Sequence, residues 1–384
     1  MTGTPHHQMR FALTGARVFD GETIRKDVAV LVEGAHIAGI IAEATRDDGI
    51  SRRRLDGGLL APGFVDIQVN GGGGTLFNAD PTPDGIARMA AAHRRFGTTG
   101  LLPTVITDRP EVLEQAIAAI RTARAAGVPG VLGIHIEGPF LDAPRRGAHD
   151  ARYLRDITDA DIAMLESADC GALVLTLAPN RVAPAIIARL ARSGVLVSLG
   201  HSAATGEEAR TALAAGARAF THLFNAMSPL ENRKPGMVGV ALADRESYCG
   251  IIADGHHVDD IALKVAVAAK PRDRIMLVTD AMSSAAGGPD SFDLQGRRVT
   301  RVDGRLALAD GTLAGSDLTM DAAVRHCVNR LDIGLEDALR MASLNPATFL
   351  GCGRDLGRIA PGYLASLVHL GDDLKVRRTW IDGA

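Results

Sequence analysis

Single carboxylate and histidine side chains follow several apolar runs of this sequence. Glu137 lies in "HIEGPF", His201 in "SLGHSAAT" and His222 in "THLFNAM". A carboxylate among apolar residues must be paired or bound to a metal ion, because burial of an unpaired charge is costly. One carboxylate and two imidazoles form a ligand set that holds a divalent ion and leaves coordination positions open. The pattern predicts a metal site, with zinc as first choice and iron, cobalt or manganese as alternatives.

Two further side chains could supply the acid–base chemistry that such a site needs. A bound divalent ion polarises a carbonyl group or lowers the pKa of a water molecule. A nearby carboxylate must then take the proton of the water and pass it to the leaving group. Asp280, which follows the apolar run in "LVTDAM", is the candidate for this role. His149, in "RRGAHDAR", could donate a hydrogen bond to the developing oxyanion.

Two amide side chains occupy positions where two histidines would form a metal-binding pair. In "DIQVNGGGG", Gln68 and Asn70 are two residues apart and therefore share one face of a strand. Two histidines at this spacing would bind an ion, whereas neutral amides bind a transition ion far more weakly. The stretch therefore bears directly on how many ions the chain holds.

Each of these residues also has a structural explanation. A lone histidine at the end of a strand is more often a hydrogen-bonded structural residue than a ligand. Arg233 in "NRKPG" suits phosphate recognition, and a solvated loop explains it equally well. A serine hydrolase fits less well because "GHSAAT" is not a GxSxG turn, and the chain has no Walker motif for nucleotide triphosphates. The number of strand ends that carry such a residue favours the functional interpretation.

The elements that must position these side chains alternate between strand and helix. Eight apolar runs are typical of strands buried on both faces of a parallel sheet, and they cover residues 64–70, 99–106, 131–138, 172–179, 196–202, 219–225, 248–255 and 275–282. Helical patterns cover residues 110–127, 181–193, 205–216 and 259–269. The alternation predicts an α/β protein with a (β/α)8 TIM barrel, whose active site lies at the carboxyl ends of the strands. A doubly wound sheet is the alternative, but "NGGGGTLFNAD" does not open a helix as its GxGxxG fingerprint should.

Both ends of the chain differ from this middle part. Short apolar runs broken by glycine and aspartate are typical of β-hairpins, and we expect the two ends to meet in one small β domain. The predicted limits are residues 1–62 plus 350–384 for that domain and 63–349 for the catalytic barrel. A β-hairpin excursion is predicted near residues 285–315, on the catalytic side of the barrel.

Composition argues against several classes of partner. The net charge is −3 and there is no polybasic run, so we expect neither nucleic acid nor an anionic membrane as main partner. No apolar stretch reaches the ~20 residues of a spanning helix, and the N-terminus lacks the apolar region of a signal peptide. The four cysteines are widely spaced, as in a reduced cytoplasmic protein.

Taken together, the motifs identify a family. The chain resembles the N-acetylglucosamine-6-phosphate deacetylases of the amidohydrolase superfamily over nearly its whole length. The motifs that carry the resemblance occur in the order "PGFVDIQVNGGGG", "HIEGPFL", "GAHD", "LGHSAAT", "THLFNAM", "RKPG", "ADGHHVD", "LVTDAM", "GTLAGS" and "ASLNPATFLG". The resemblance implies a metal-dependent TIM barrel flanked by a small β-sandwich domain that is built from both termini.

The resemblance also implies a role for particular residues. Glu137, His201 and His222 would hold the metal ion, and Asp280 would be the catalytic acid and base, assisted by His149. Substrate contacts would fall to Ala148, His149, Asn225, Ala226, Arg233, Asp254, Gly255, His256, His257, Leu313, Ala314 and Gly315. His256 replaces a residue that is commonly apolar in the family, and His257 has the spacing of the functional histidine.

The implied reaction is hydrolysis of the acetamide of N-acetyl-D-glucosamine 6-phosphate to D-glucosamine 6-phosphate and acetate. In this family Arg233 and His257 would reach the phosphate from the neighbouring subunit, which implies a homodimer. Members with two histidines in place of Gln68 and Asn70 can hold a second ion, so this chain is expected to hold one. The two amides would then hydrogen-bond a water molecule or a polar neighbour.

Three alternatives compete with this reaction, and the sequence disfavours two of them. The substrate could be another N-acetyl-hexosamine 6-phosphate, such as the galactosamine epimer, which differs at one hydroxyl group. A binuclear cyclic-amide hydrolase is disfavoured because the fourth strand-like run, "ALVLTLAP", has no lysine. A binding protein on an inactive amidohydrolase barrel is disfavoured because the ligand set and Asp280 are both present.

Overall fold

An eight-stranded parallel sheet forms the centre of the computed structural model, which describes residues 10–45 and 50–384. The strands are neighbours in sequence order. We call them barrel strands 1 to 8, and they are Phe64–Val69, Thr98–Ile106, Gly133–Glu137, Ala172–Leu177, Leu196–Leu199, Ala219–Phe220, Tyr248–Ile251 and Ile275–Leu277. Strand 8 returns to strand 1 through a parallel bridge between Val69 and Ala281. The predicted TIM barrel is confirmed.

Helices follow the barrel strands and pack their apolar faces on the sheet. They are Pro83–Arg94, Pro110–Ala125, Asp159–Glu166, Pro184–Arg192, Gly206–Ala214, Gly236–Ala243, Asp260–Ala269, Met320–Arg330, Leu335–Ala342 and Leu344–Phe349. Short 3-10 helices occupy Ala143–Arg145, Ala151–Tyr153 and Arg272–Arg274. Several helices begin where the sequence caps them, as at Thr205, whose side chain forms a capping box with Glu208. The four predicted helices are therefore present, and their ends differ from the prediction by at most three residues.

The two ends of the chain meet in a pair of sheets beside the barrel. One sheet contains His36–Ala42, Val28–Glu33, Arg10–Thr14 and Ser51–Arg54, and the other contains Val376–Trp380, Leu367–Leu370, Leu59–Pro62, Arg17–Phe19 and Ile24–Arg25. In the second sheet Leu367 pairs with Pro62, so a C-terminal strand lies beside an N-terminal one. Phe11 and Trp380, one from each sheet, belong to the same buried apolar cluster. The expected β-sandwich domain is thus confirmed.

The predicted hairpin after barrel strand 8 is larger than expected. It is a four-stranded antiparallel sheet of Ser291–Leu294, Arg297–Val302, Arg305–Ala307 and Leu313–Ser316, which we call the insert sheet. Its own apolar cluster includes Leu294, Leu306 and Met282, the last from the loop after barrel strand 8. Burial of this cluster holds the insert sheet against the carboxyl ends of the barrel strands.

Some expectations about the whole chain stay predictions. Residues 1–9 and 46–49 of the predicted N-terminal part lie outside the described residues. The domain limits at residues 62 and 350 stay predictions. Within the described ranges, no helix is both long and apolar enough to cross a membrane, and the expected cytoplasmic location stays a prediction.

A buried carboxyl group joins the last barrel strand to the first. Asp66 on strand 1 is fully buried and accepts a hydrogen bond of 2.6 Å from the hydroxyl of Thr279, next to Asp280. Its Oδ1 atom also accepts from the backbone nitrogens of Gln68 and Thr279. Burial raises the pKa of Asp66 to about 7, against an ordinary value of 3.8. The folded chain therefore holds the proton of Asp66 more tightly than the unfolded chain does.

We predict that the buried Asp66 makes the folded protein less stable as the pH rises. Because the folded pKa is raised, stability from Asp66 is fully present below its ordinary pKa and is lost as pH rises through about 7. Between about pH 5 and about pH 8, the wild type should lose about 2–3 kcal/mol of unfolding free energy relative to Asp66→Asn. Urea unfolding of both proteins over this range measures the difference. A difference that does not change with pH would contradict the prediction.

Candidate active site

The carboxyl ends of the barrel strands surround a cavity of about 390 Å³, within the usual range for small-molecule sites. His201, His222 and Asp280, which follow strands 5, 6 and 8, have left-handed backbone with φ of 46°, 31° and 52°. This conformation is uncommon for residues other than glycine and marks strained positions. It occurs where each chain segment leaves its strand, so the three side chains enter the cavity together.

Glu137, His201 and His222 converge at the base of this cavity. The Nε2 atoms of the two histidines are 3.1 Å apart, and Oε1 of Glu137 lies 3.3 Å from His201 Nε2 and 3.0 Å from His222 Nε2. All three residues are buried, and they form the group of the described residues whose ligand atoms are arranged to hold a metal ion. Two facing nitrogens beside a carboxylate oxygen require a cation, either a proton or a metal ion.

The surroundings of His201 support a metal ion. Its Nδ1 atom lies 2.9 Å from the carbonyl oxygen of Arg145. A carbonyl oxygen can only accept, so Nδ1 carries a proton, and in the neutral ring Nε2 presents its lone pair to the cavity. Histidines that bind metal ions are usually oriented in this way. The donor set, its burial and this tautomer therefore fit a divalent ion.

Charge within the same group favours ionised Glu137. Burial alone opposes its ionisation, but hydrogen bonds from His201 and His222 outweigh burial and hold the pKa of Glu137 well below its ordinary value. Burial likewise opposes a charged His222, and contact with Glu137 outweighs it and raises the pKa of His222. The cluster thus stabilises a negative carboxylate next to positive charge, which is the electrostatic requirement of a cation site.

Asp280 lies beside this cluster and is held by the two amides of strand 1. Asn70 donates from Nδ2 to Asp280 Oδ1 at 2.6 Å, and Gln68 donates from Nε2 to the same oxygen at 3.3 Å. Gln68 Nε2 also donates to Glu137 Oε1 at 3.0 Å, so one amide group joins both carboxylates. Burial raises the pKa of Asp280 to about 6, and the charge of Glu137 acts in the same direction.

His149 approaches the cluster from the loop after strand 3. Its ring lies 4.4 Å from that of His201, and its Nε2 atom is 3.9 Å from Glu137 Oε2. Burial, followed by the charge of His201, lowers the pKa of His149 to about 3. His149 is therefore neutral at ordinary pH and forms no ion pair with Glu137.

Sequence reasoning missed two residues that support His149. Thr107, at the end of strand 2, places its hydroxyl 2.8 Å from His149 Nδ1. Arg297 of the insert sheet donates from Nη2 to the carbonyl oxygen of Ala148 at 2.7 Å. Neither had a signal in the sequence, because a threonine after an apolar run and an arginine in a hairpin are both common.

Most of the predicted substrate residues lie around the same cavity. Its lining includes Ala148, His149, Asn225, Ala226, His257, Leu313, Ala314 and Gly315. Asp254 lies behind His257 and forms a 2.7 Å contact between Oδ2 and His257 Nδ1. His256 and Gly255 are exposed and, like Asp254, are absent from the lining among the described residues.

The structure corrects one part of the expected phosphate site. His257 was expected to reach the site of a neighbouring subunit, but it lines the cavity of its own chain, where Asp254 fixes its ring. The reason is that strand 7 of the same barrel ends at this cavity. Arg233 is exposed on the loop after strand 6 and is not among the described residues that line the cavity.

The fold and the cluster together define a metal-dependent hydrolase of the barrel type. A family profile described as "Amidohydrolase family" matches residues 59–384, and one described as "NagA composite domain" matches residues 10–60. These matches cover the barrel and the N-terminal strands of the β-sandwich domain, respectively.

Individual relatives agree with the profiles over almost their full length. An N-acetylgalactosamine-6-phosphate deacetylase of Shewanella sp. (strain ANA-3) is 44% identical over 99% of this chain and 96% of its own. An N-acetylglucosamine-6-phosphate deacetylase of Haemophilus influenzae is 33% identical over 98% of this chain and 99% of its own. The crystal structure of N-acetylglucosamine-6-phosphate deacetylase from Pasteurella multocida superimposes with a TM-score of 0.94 at 34% identity, covering 97% of this chain and 98% of that chain. The chain therefore belongs to the amidohydrolase family, in its branch of N-acetyl-hexosamine-6-phosphate deacetylases.

We predict that ion binding depends on the carboxylate of Glu137. Glu137→Gln removes the negative charge of the cluster and should weaken zinc binding by roughly 100-fold or more, since even indirect partners of metal ligands contribute 10–100-fold. A competition titration against a chromophoric chelator measures the affinity. Glu166→Gln, the same change at a carboxylate outside the cavity, is the matched control. Equal zinc affinities for the two variants would contradict the assignment.

Proposed function

We propose that the chain hydrolyses the acetamide of N-acetyl-D-glucosamine 6-phosphate, releasing D-glucosamine 6-phosphate and acetate. The observation that carries the proposal is the meeting of a buried Glu–His–His group with Asp280 in one cavity. The names of the Haemophilus and Pasteurella relatives support the choice of substrate. The cavity, at about 390 Å³, has the capacity for one amino sugar.

We propose that Glu137, His201 and His222 hold one divalent ion, with zinc as the first choice. Zinc accepts imidazole and carboxylate ligands and keeps a position open in catalytic sites, and iron, cobalt or manganese are alternatives. When bound, such an ion polarises a carbonyl group and lowers the pKa of water. Asn70 and Gln68 supply neutral donors next to this group rather than further ligands, which supports a count of one.

The protein side chains then perform the proton transfers. Asp280 takes a proton from the attacking water as the oxygen bonds to the carbonyl carbon. His149 donates a hydrogen bond to the oxygen that becomes negative. Protonated Asp280 then passes its proton to the amide nitrogen while the carbon–nitrogen bond breaks. The donors Asn70 and Gln68 both contact Oδ1 of Asp280, so its other oxygen is the one available for these transfers.

A second candidate substrate is N-acetyl-D-galactosamine 6-phosphate. The Shewanella relative named for that substrate is 44% identical to this chain. The two sugars differ only in the configuration of one hydroxyl group, and both present the same acetamide and phosphate groups. The chemistry proposed for Asp280 and His149 is the same for either sugar.

We propose that the active form is a homodimer in which the partner subunit's Arg233 contacts the phosphate. Arg233 is exposed in its own chain, so its guanidinium is available to another molecule. Arginine is well suited to bidentate phosphate binding. His257 of the same chain as the cluster would provide a second contact from the cavity wall.

Acetate release tests the proposed reaction. Zinc-loaded wild type should act on N-acetylglucosamine 6-phosphate, and Asp280→Asn should lose roughly 10²–10⁴-fold in kcat, because it cannot move the proton. The variant should still bind zinc, since Asp280 is not part of the ligand group. The galactosamine epimer is assayed in parallel to decide which sugar has the higher kcat/KM. Near-normal turnover by Asp280→Asn would refute the assigned role.

Removal of Arg233 tests the phosphate contact. Arg233→Ala should raise KM for the phosphorylated sugar by roughly 10-fold or more, as expected for loss of a charged hydrogen bond. Its rate on unphosphorylated N-acetylglucosamine should not change. Lys234→Ala, the same kind of change at the next residue, is the matched control. Equal effects on both sugars would refute the contact, and sedimentation of the wild type decides whether it is a dimer.

A further inference from the structure

Thr107 is the hydrogen-bond partner of the His149 ring. Its Oγ1 atom lies 2.8 Å from His149 Nδ1, and both side chains are buried. The other ring nitrogen, Nε2, is the one directed at Glu137, at 3.9 Å from Oε2. The contact at Nδ1 therefore determines which face and which nitrogen of the ring are presented to the cavity.

The position of this hydroxyl is fixed by its neighbours. Gln295, in the first turn of the insert sheet, donates from Nε2 to the carbonyl oxygen of Thr107 at 2.8 Å. Asn78 holds the preceding residue, Ile106, by accepting from its backbone nitrogen at 2.9 Å and donating to its carbonyl oxygen at 3.0 Å. A Cβ atom at Gly138 would lie 2.2 Å from Thr107 Oγ1, so glycine is required there. Thr107 is thus held by residues of the segment after strand 1, of the insert sheet and of the segment after strand 3.

The hydrogen of this hydroxyl has two acceptors within reach. His149 Nδ1 lies at 2.8 Å and the carbonyl oxygen of Glu137 at 3.4 Å. A threonine has a single hydroxyl hydrogen, so Nδ1 would have to donate to Oγ1 if that hydrogen went to Glu137. The 3.4 Å contact with Glu137 is longer than the usual O–H···O hydrogen bond of about 2.5–3.0 Å, which favours donation to His149 Nδ1. A neutral imidazole that accepts at Nδ1 carries its own proton on Nε2. Only that tautomer can donate a hydrogen bond into the cavity.

We propose that Thr107 is a positioning residue of the reaction, whose hydroxyl donates to His149 Nδ1 and keeps the donor hydrogen on Nε2. An oxyanion is stabilised by a donor that is already oriented before charge develops. Loss of the Thr107 hydroxyl would leave the ring free to take the other tautomer, in which Nε2 repels the oxyanion. The catalytic consequence rests on the proposed function, whereas the effect on the ring does not.

One variant without the hydroxyl and one that keeps it test the effect on turnover. Thr107→Val removes the hydroxyl and should lower kcat by roughly 10–100-fold with little change in KM, as for other residues that orient a functional histidine. Thr107→Ser keeps the hydroxyl and should retain kcat within about threefold. Thr99→Val, a buried position at the other end of strand 2, is the matched control and should retain wild-type kcat. Thermal unfolding and zinc content are measured for every variant.

A second readout reports on the ring itself and needs no substrate. In ¹⁵N NMR of histidine-labelled protein, the His149 signals are identified by their absence in His149→Gln. Wild type and Thr107→Ser should show a proton on Nε2, and Thr107→Val should show a mixture of tautomers.

Three results would overturn the proposal: a wild-type proton on Nδ1, wild-type kcat in Thr107→Val, or equal losses in the valine and serine variants. If the wild type releases no acetate from either sugar phosphate, the proposed function fails. In that case the NMR experiment still decides between the two tautomers of His149.

Discussion

The active-site end of the barrel depends on one interaction, the burial of the Glu137 carboxylate against two imidazoles. Burial disfavours the charge, and hydrogen bonds and positive charge from His201 and His222 hold its pKa low. A buried charge that loses its partner costs several kcal/mol or so, so strands 3, 5 and 6 must end at the same depth. Both histidines have left-handed backbone, and this strained conformation is a cost of bringing their side chains to Glu137.

The other charged group of the cavity is controlled by neutral donors. Gln68 donates to both Glu137 and Asp280, and Asn70 donates to Asp280 alone. These amides reduce repulsion between the two carboxylates without adding a net charge. Asp280 consequently keeps a raised pKa, as suits a group that must accept a proton and then return it. A second cation in place of the amides would hold both carboxylates ionised.

The insert sheet contributes to the site although it provides no candidate catalytic side chain. Gln295 contacts the carbonyl oxygen of Thr107, and Arg297 contacts that of Ala148. Thr107 contacts the His149 ring, and Ala148 precedes His149 in the chain. An excursion that extends one barrel strand therefore fixes residues that follow two others, and the apolar cluster around Leu294 and Leu306 keeps it in place.

The sequence alone determined the barrel and the ligand types. Strand and helix have different apolar periods, and parallel strands share one carboxyl edge, so Glu137, His201, His222 and Asp280 could be grouped before any coordinates were known. The hydrogen-bond partners were decided only by tertiary structure. Gln68 and Asp280 are 212 residues apart, and their contact depends on how strand 8 closes on strand 1. The contact of Thr107 with His149 and the placement of His257 in the cavity of its own chain were likewise decided only by tertiary structure. The direction of a side chain at the end of a strand leaves no periodic signal in the sequence.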